Sequence, residues 1–250
     1  PAYVAEKAAA SGCDFFALTD HDSIDGVAEA DEAAAKAGIR NIHGIELSAY
    51  CGREIHILGY GIDIENEGFL RLLSEQQARR KARAEKILVR LAAYRMPIDF
   101  DYFEGKVHNV FSRMHIARAI ADYGYEPDFY TALCKWLKED APTFVPNEGL
   151  TPEEIIAAIH AAGGYAVLAH PVRLNMDGAE RAAFISRLTA AGLDGLEAVY
   201  KRTSHKAVRE LKKVAQRCGL FVTAGADYHG DGNEIIPRKT VAPFIVKQKK

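Results

Sequence analysis

The sequence predicts an α/β protein in which buried strands alternate with helices, either closed into a barrel or laid out as an open parallel sheet. Three observations carry this. Short apolar runs recur between helix-forming segments, several of those runs end on a histidine or a carboxylate, and one long charged stretch in the middle interrupts the alternation. With 250 residues and 48% hydrophobic content, the chain can fill one barrel core or two small domains.

Residues 1–10 are strong helix formers led by a proline, whose missing N–H costs nothing in a first turn, and Gly12 closes that helix. Phe15-Phe16-Ala17-Leu18-Thr19 reads as a short buried strand. Asp22 or Ser23 can cap a helix over 24–37 that stops at Gly38. Strands are expected over 41–47 and 54–60, followed by a long charged helix over 69–95 that Met96-Pro97 closes. Helices over 113–123 and 128–138 follow with no strand between them, so 66–150 reads as a helical insertion between 1–65 and 151–250. The alternation then resumes. Thr151-Pro152-Glu153-Glu154 is a cap, a proline and an acidic first turn, Gly163-Gly164 breaks the helix, and 165–169 is a strand ending at His170. A helix over 179–191, a strand over 195–200, a helix over 204–218 and a strand over 220–224 complete the series, with 240–246 as a candidate last strand.

Composition excludes several classes. A net charge of −2 is wrong for a protein coated for duplex nucleic acid or an anionic membrane. Cys13, Cys51, Cys134 and Cys218 lie far apart and form no Cys-x-x-Cys pair, which argues against a disulfide framework and fits a reducing cytoplasm. No apolar run approaches the roughly 18 residues that span a bilayer. A soluble, cytoplasmic monomer is the expectation.

The chemistry-bearing residues are Asp20 and His21 in Thr19-Asp20-His21-Asp22, then Glu46, His56, His170, Asp227 and His229. Each has a bland reading. Asp20 and Asp22 can satisfy backbone donors in a turn, and His56, set among Ile55, Ile57 and Leu58, can be a core histidine with a buried partner, as can His170. Asp227 and His229, two apart, share a face if that segment is extended. Their joint position at strand ends favours function, because loops at one end of such a sheet converge on a single site. Imidazoles and carboxylates together suit divalent transition metals, so a multinuclear metal hydrolase is expected.

The runs Ala17-Leu18-Thr19-Asp20-His21-Asp22-Ser23-Ile24-Asp25-Gly26, Gly44-Ile45-Glu46, Glu54-Ile55-His56-Ile57-Leu58-Gly59-Tyr60, Ala169-His170-Pro171 and Ala226-Asp227-Tyr228-His229 resemble the PHP (polymerase and histidinol phosphatase) family. Within it they are most similar to the branch of nucleoside 3′,5′-bisphosphate phosphatases and short-RNA exonucleases. The resemblance implies a distorted (β/α)7, TIM-like barrel, up to three divalent metals, and hydrolysis of phosphate esters. Manganese is the metal it favours, with zinc, iron or magnesium as alternatives. It also implies a first strand carrying His-x-His, which is missing ahead of residue 1, either because that segment lies outside this chain or because it has been lost. Glu46, His56 and His170 then form an intact ligand set, Glu46 and Asp227 half of a second, and His21 and His229 part of a third.

Phe111-Ser112-Arg113-Met114-His115 resembles the branch's element for a phosphate that is not cleaved, which assigns Ser112, Arg113 and His115 to substrate, with Arg173 as a further candidate. A guanidinium fork matches phosphate oxygens, and a helix start adds N–H donors. His205 and Asp20 are the expected catalytic groups, His205 as proton donor to the leaving oxygen. Arg79, Arg80, Lys81 and Arg83 read as a solvated helix face. The expected substrate is a nucleoside 3′,5′-bisphosphate or the end of a short oligonucleotide. A histidinol-phosphatase-like enzyme and a catalytically impaired PHP binding module are the alternatives.

Overall fold

The computed structural model describes residues 1–107, 110–200 and 203–228. The chain divides into two compact units, one formed by Pro1–Phe69 and the chain from Leu150 onward, the other by Leu70–Gly149.

The first unit opens with α1 (Ala2–Ala10), which buries Ala5 and Ala8. A two-residue strand β1 (Phe15–Phe16) follows, shorter than the run of apolar residues suggested. Helix α2 spans Val27–Lys36 and starts after Gly26. Asp22 therefore does not cap it. The expected single strand over 41–47 is two: β2 (Arg40–Asn41) pairs with β1 in parallel, and β3 (Gly44–Tyr50) opens a separate five-stranded sheet.

That sheet runs β3, β4 (Glu54–Tyr60), β5 (Tyr165–Leu168), β6 (Gly195–Tyr200) and β7 (Phe221–Gly225) in spatial order. It is mixed, which corrects the all-parallel expectation. β4 is antiparallel to both β3 and β5, while β5, β6 and β7 run parallel. The cause lies in the connections: only Cys51-Gly52-Arg53 separates β3 from β4, with Gly52 at φ +76, and so short a link permits a hairpin but no crossover. Between the parallel strands lie α7 (Gly178–Ala190) and α8 (His205–Cys218), long enough to cross over. Helix α6 (Pro152–Ala161) starts with a reciprocal capping box between Thr151 and Glu154 and buries Ile155, Ile156 and Ile159.

Among the described residues the two sheets are separate and not closed into a ring, and one isolated bridge, His21 to Glu46, ties the loop after β1 to β3. Backbone bonds from Asp22 N to Glu46 O (2.9 Å) and from Glu46 N to Asp20 O (3.0 Å) make it. The Asp22 side chain extends the ladder by accepting from Ser48 N at 3.0 Å. Segments 15–21 and 223–228 wall a cavity of about 410 Å³.

The second unit is helical. Helix α3 (Glu67–Ala93) reaches into it, followed by α4 (Arg113–Asp122) and α5 (Phe129–Trp136). On α3, Ala84, Ile87, Leu88 and Leu91 recur at three and four residues and bury one stripe against Phe103, Phe111, Ile116, Ile120 and Leu137. In the basic run of α3, Arg80 and Arg83 donate to the carbonyls of Phe111 and Val145 at 3.4 and 2.8 Å. Those two side chains are therefore tied to this unit rather than simply solvated. No helix among the described residues is long and apolar enough to cross a membrane. The candidate strand 240–246 lies outside the described residues.

Candidate metal centre

Two strands, a turn and a loop bring four of the predicted ligands together. Glu46 comes from the middle of β3, His56 from β4, His170 from the turn after β5, and His21 from the loop bridged to β3. Glu46 Oε1 lies 2.8 Å from His56 Nδ1 and 3.0 Å from His170 Nε2, and the two imidazole nitrogens are 3.3 Å apart. His21 Nε2 stands 3.9 Å from the other Glu46 oxygen, and its ring meets that of His56 edge-on at 4.8 Å. Ligand atoms of His21, Glu46 and His56 all lie within 4.8 Å of one another.

Atoms bound to one ion at about 2.0–2.2 Å sit roughly 3–3.5 Å from each other. The spacings of 2.8, 3.0 and 3.3 Å fall close to that, so Glu46, His56 and His170 can close on a cation with small movements. The same atoms also lie within hydrogen-bonding distance of one another. Burial alone would raise the Glu46 carboxyl, but hydrogen bonds from His170 and His56 and the charges of His21 and His56 hold it well below its usual range. Burial would likewise lower His56, yet Glu46 and Glu54 raise it to about 9. His170 Nδ1 is buried with no hydrogen-bond partner among the described residues. A cluster of imidazoles around one ionised carboxylate suits a divalent metal.

The remaining candidates divide. Asp20 is half-buried and lines the cavity, where burial pushes its carboxyl up. Asp227 accepts from the Tyr200 hydroxyl at 2.7 Å and from Arg173 at 3.1 Å, and Arg173 also reaches Tyr200. Asp227 takes φ +47, so the alternation expected of an extended segment does not hold there. His229 lies outside the described residues. His205 is exposed in the first turn of α8, and no hydrogen bond or ion pair joins it to the cluster among the described residues. In the helical unit, Ser112 and His115 form a reciprocal cap on α4, with Ser112 N donating to His115 Nδ1 at 3.1 Å. Burial lowers the His115 imidazole, and Arg113 donates to the carbonyl of Leu137 at 3.3 Å.

Two residues escaped the sequence reading. Tyr200 ends β6 and holds Asp227; an aromatic at a strand end gives no signal of that kind. Glu197 stands mid-strand, 4% exposed, and accepts from His170 N at 2.7 Å. Burial, then the charges of Glu46 and Asp227, raise it to about 8 against the opposing His170 N–H. A carboxylate interrupting the apolar run Gly195–Tyr200 is the same signal that singled out His56.

No protein-family profile matches the chain. Individual relatives do. It is 34% identical over 235 residues to a 3′,5′-nucleoside bisphosphate phosphatase of Chromobacterium violaceum, covering 93% of this chain and 82% of that protein. It is 33% identical over 230 residues to a 5′-3′ exoribonuclease of Haemophilus influenzae, covering 92% and 84%. Among solved structures, an amidohydrolase from Chromobacterium violaceum with bound sulfate and no metal superposes with a TM-score of 0.85 at 33% identity, covering 96% of this chain and 86% of that one. A candidate metal-dependent phosphoesterase from Bifidobacterium adolescentis gives 0.83 at 28% identity, covering 97% and 87%. Likeness over nearly the whole chain, on top of the cluster of Glu46 and its histidines, places the protein in the PHP family of metal-dependent phosphoesterases, alongside the 3′,5′-nucleoside bisphosphate phosphatases and 5′-3′ exoribonucleases.

Proposed function

We propose that this chain hydrolyses a phosphate ester of a nucleoside 3′,5′-bisphosphate or of a short oligonucleotide end, using manganese held by Glu46, His56 and His170. The convergence of Glu46 Oε1, His56 Nδ1 and His170 Nε2 within 3.3 Å carries the reading. Asp227 would join Glu46 in a second ligand set, and His21 and His229 would serve a third. A divalent cation at these ligands supplies positive charge for phosphoryl oxygens and lowers the pKa of a water.

The protein's own groups do the rest. Glu46, held ionised, keeps a negative charge at the centre of the imidazoles. Of the two expected catalytic groups, Asp20 lines the cavity and His205 does not, so we assign the proton transfer first expected of His205 to Asp20. Ser112, Arg113 and His115 would bind the phosphate that stays, and Arg173, with a 59% exposed side chain, another phosphate oxygen. The names of the relatives support this substrate class.

The test is phosphate release from adenosine 3′,5′-bisphosphate, adenosine monophosphate and histidinol phosphate with manganese added to metal-free chain. The bisphosphate should be the best substrate by at least about tenfold, or about 1.4 kcal/mol. Preference for histidinol phosphate would overturn the substrate. Tight manganese binding with no hydrolysis of any of the three would favour the binding module instead. Bound metal should also stabilise the fold, by about 2.7 kcal/mol at a hundred times its dissociation constant, and a chelator should reverse the gain.

A further inference from the structure

We infer that Glu197 and Gly225 form a positioning device for the metal centre, in which the Glu197 carboxylate fixes the turn that presents His170. The inference rests on the reading of His170 as a ligand and adds a role for two residues outside the ligand set.

His170 has φ +28 and ψ +56, a left-handed backbone that crowds the Cβ of any residue but glycine. Pro171 follows it, and proline pushes the preceding residue toward extended conformations. The turn is thus disfavoured twice over, and something outside it must hold it. Three bonds do so: Ala169 N donates to His56 O at 3.0 Å, Arg173 N to His170 O at 2.9 Å, and His170 N to Glu197 Oε2 at 2.7 Å. The first two belong to the strand pairing and the turn itself. The third comes from a buried side chain on another strand and acts on the strained residue directly.

Glu197 reaches that N–H because of two features of β6 and β7. The pairing slips between Glu197, opposite Thr223, and Val199, opposite Ala224, and such an irregularity re-aims a side chain. At residue 225 a Cβ would lie 1.8 Å from Glu197 Oε1 and 3.0 Å from its Cδ. Only glycine leaves the carboxylate its place. Gly225 itself lies two residues before Asp227, so the carboxylate lies between the backbones of two segments that carry candidate ligands.

The experiment measures manganese affinity of the metal-free full chain by titration calorimetry, alongside metal-free melting, for Glu197→Ala, Glu197→Gln, Gly225→Ala, the double variant Glu197→Ala with Gly225→Ala, and His170→Gln. Loss of a group that orients a ligand typically weakens metal binding about 10- to 100-fold, and that is expected for Glu197→Ala and Gly225→Ala. Glu197→Gln keeps an oxygen that accepts from His170 N and should stay within about threefold of the parent. The double variant should bind no worse than Glu197→Ala, since the added methyl then displaces nothing. Glu197→Gln falling as far as Glu197→Ala would overturn the inference, because the carboxylate would then act through its charge. Parent-like affinity in Glu197→Ala and Gly225→Ala, with His170→Gln impaired, would overturn it while leaving the ligand reading in place. Parent-like affinity in His170→Gln would remove the ligand reading itself.

Discussion

The two units bury different things. In the helical unit the interior is almost wholly apolar, with Leu91, Ile116, Ile120 and Leu137 at most 1% exposed and polar burial confined, among the described residues, to Gln76 and Thr143. In the strand-bearing unit Asp22, Ser23, Glu46, Ser48, His170, Glu197 and Thr223 are all buried. A buried carboxylate costs several kcal/mol unless it is paired, so a fold selected for stability alone would not gather them. Each acidic group among them has a partner: Asp22 takes Ser48 N, Glu197 takes His170 N, and Glu46 takes His56 and His170. The contrast separates a core that holds shape from one that holds candidate ligands in a fixed geometry.

The largest expected effect breaks the contrast at its polar end. His170→Gln should lower kcat/KM on the bisphosphate by roughly 10³-fold, about 4 kcal/mol, with part of the loss restored by excess manganese. Unchanged turnover with an earlier melt would make His170 an ordinary core residue. At the apolar end, Ile120→Ala should cost about 2–5 kcal/mol in denaturant unfolding while kcat/KM, measured well below the melting temperature, stays near the parent's. A turnover loss matching that of His170→Gln would erase the distinction between the units.

Smaller effects sharpen it. Arg113→Ala should cost about 1.5–3 kcal/mol in kcat/KM for the bisphosphate and little for a monophosphate, as removal of a charge-assisted contact to a distant phosphate requires. Equal losses on both substrates would put Arg113 at the reacting phosphate or in the packing around Leu137. Thr151→Ala removes the cap of α6, where Thr151 Oγ1 accepts from Glu154 N at 3.3 Å, and should cost about 1 kcal/mol of stability with activity intact. Unaltered unfolding would show that Pro152 and the buried isoleucines fix the helix start without it.

Much of this was legible because it is local. Helices α3 to α8 follow from caps, prolines and apolar spacing, and the strands from short apolar runs, since each of these signals acts within a few residues. His56 stood out as a polar residue in an apolar strand. The antiparallel direction of β3 and β4 is a local matter too, because a three-residue link is far shorter than a crossover needs. β1 ended early because Ala17 to Thr19 leave ladder pairing for the loop that meets β3, a competition decided outside that run.

The sequence by itself determined which residue types stand in and beside the strands, with Glu46 and His56 inside β3 and β4 rather than at their ends as expected, and hence that imidazoles and a carboxylate were available to meet. Tertiary structure alone decided which of them meet and at what distance. Glu46 and His170 are 124 positions apart, Glu197 and His170 27, and Tyr200 and Asp227 27. No periodicity or cap spans such separations, because local propensity fixes backbone shape over a turn or a strand, whereas these contacts depend on the register of a whole sheet. The left-handed turn at His170 belongs to the same class: residue preference argues against it, and the bond from Glu197, reaching across from β6, is among those that hold it.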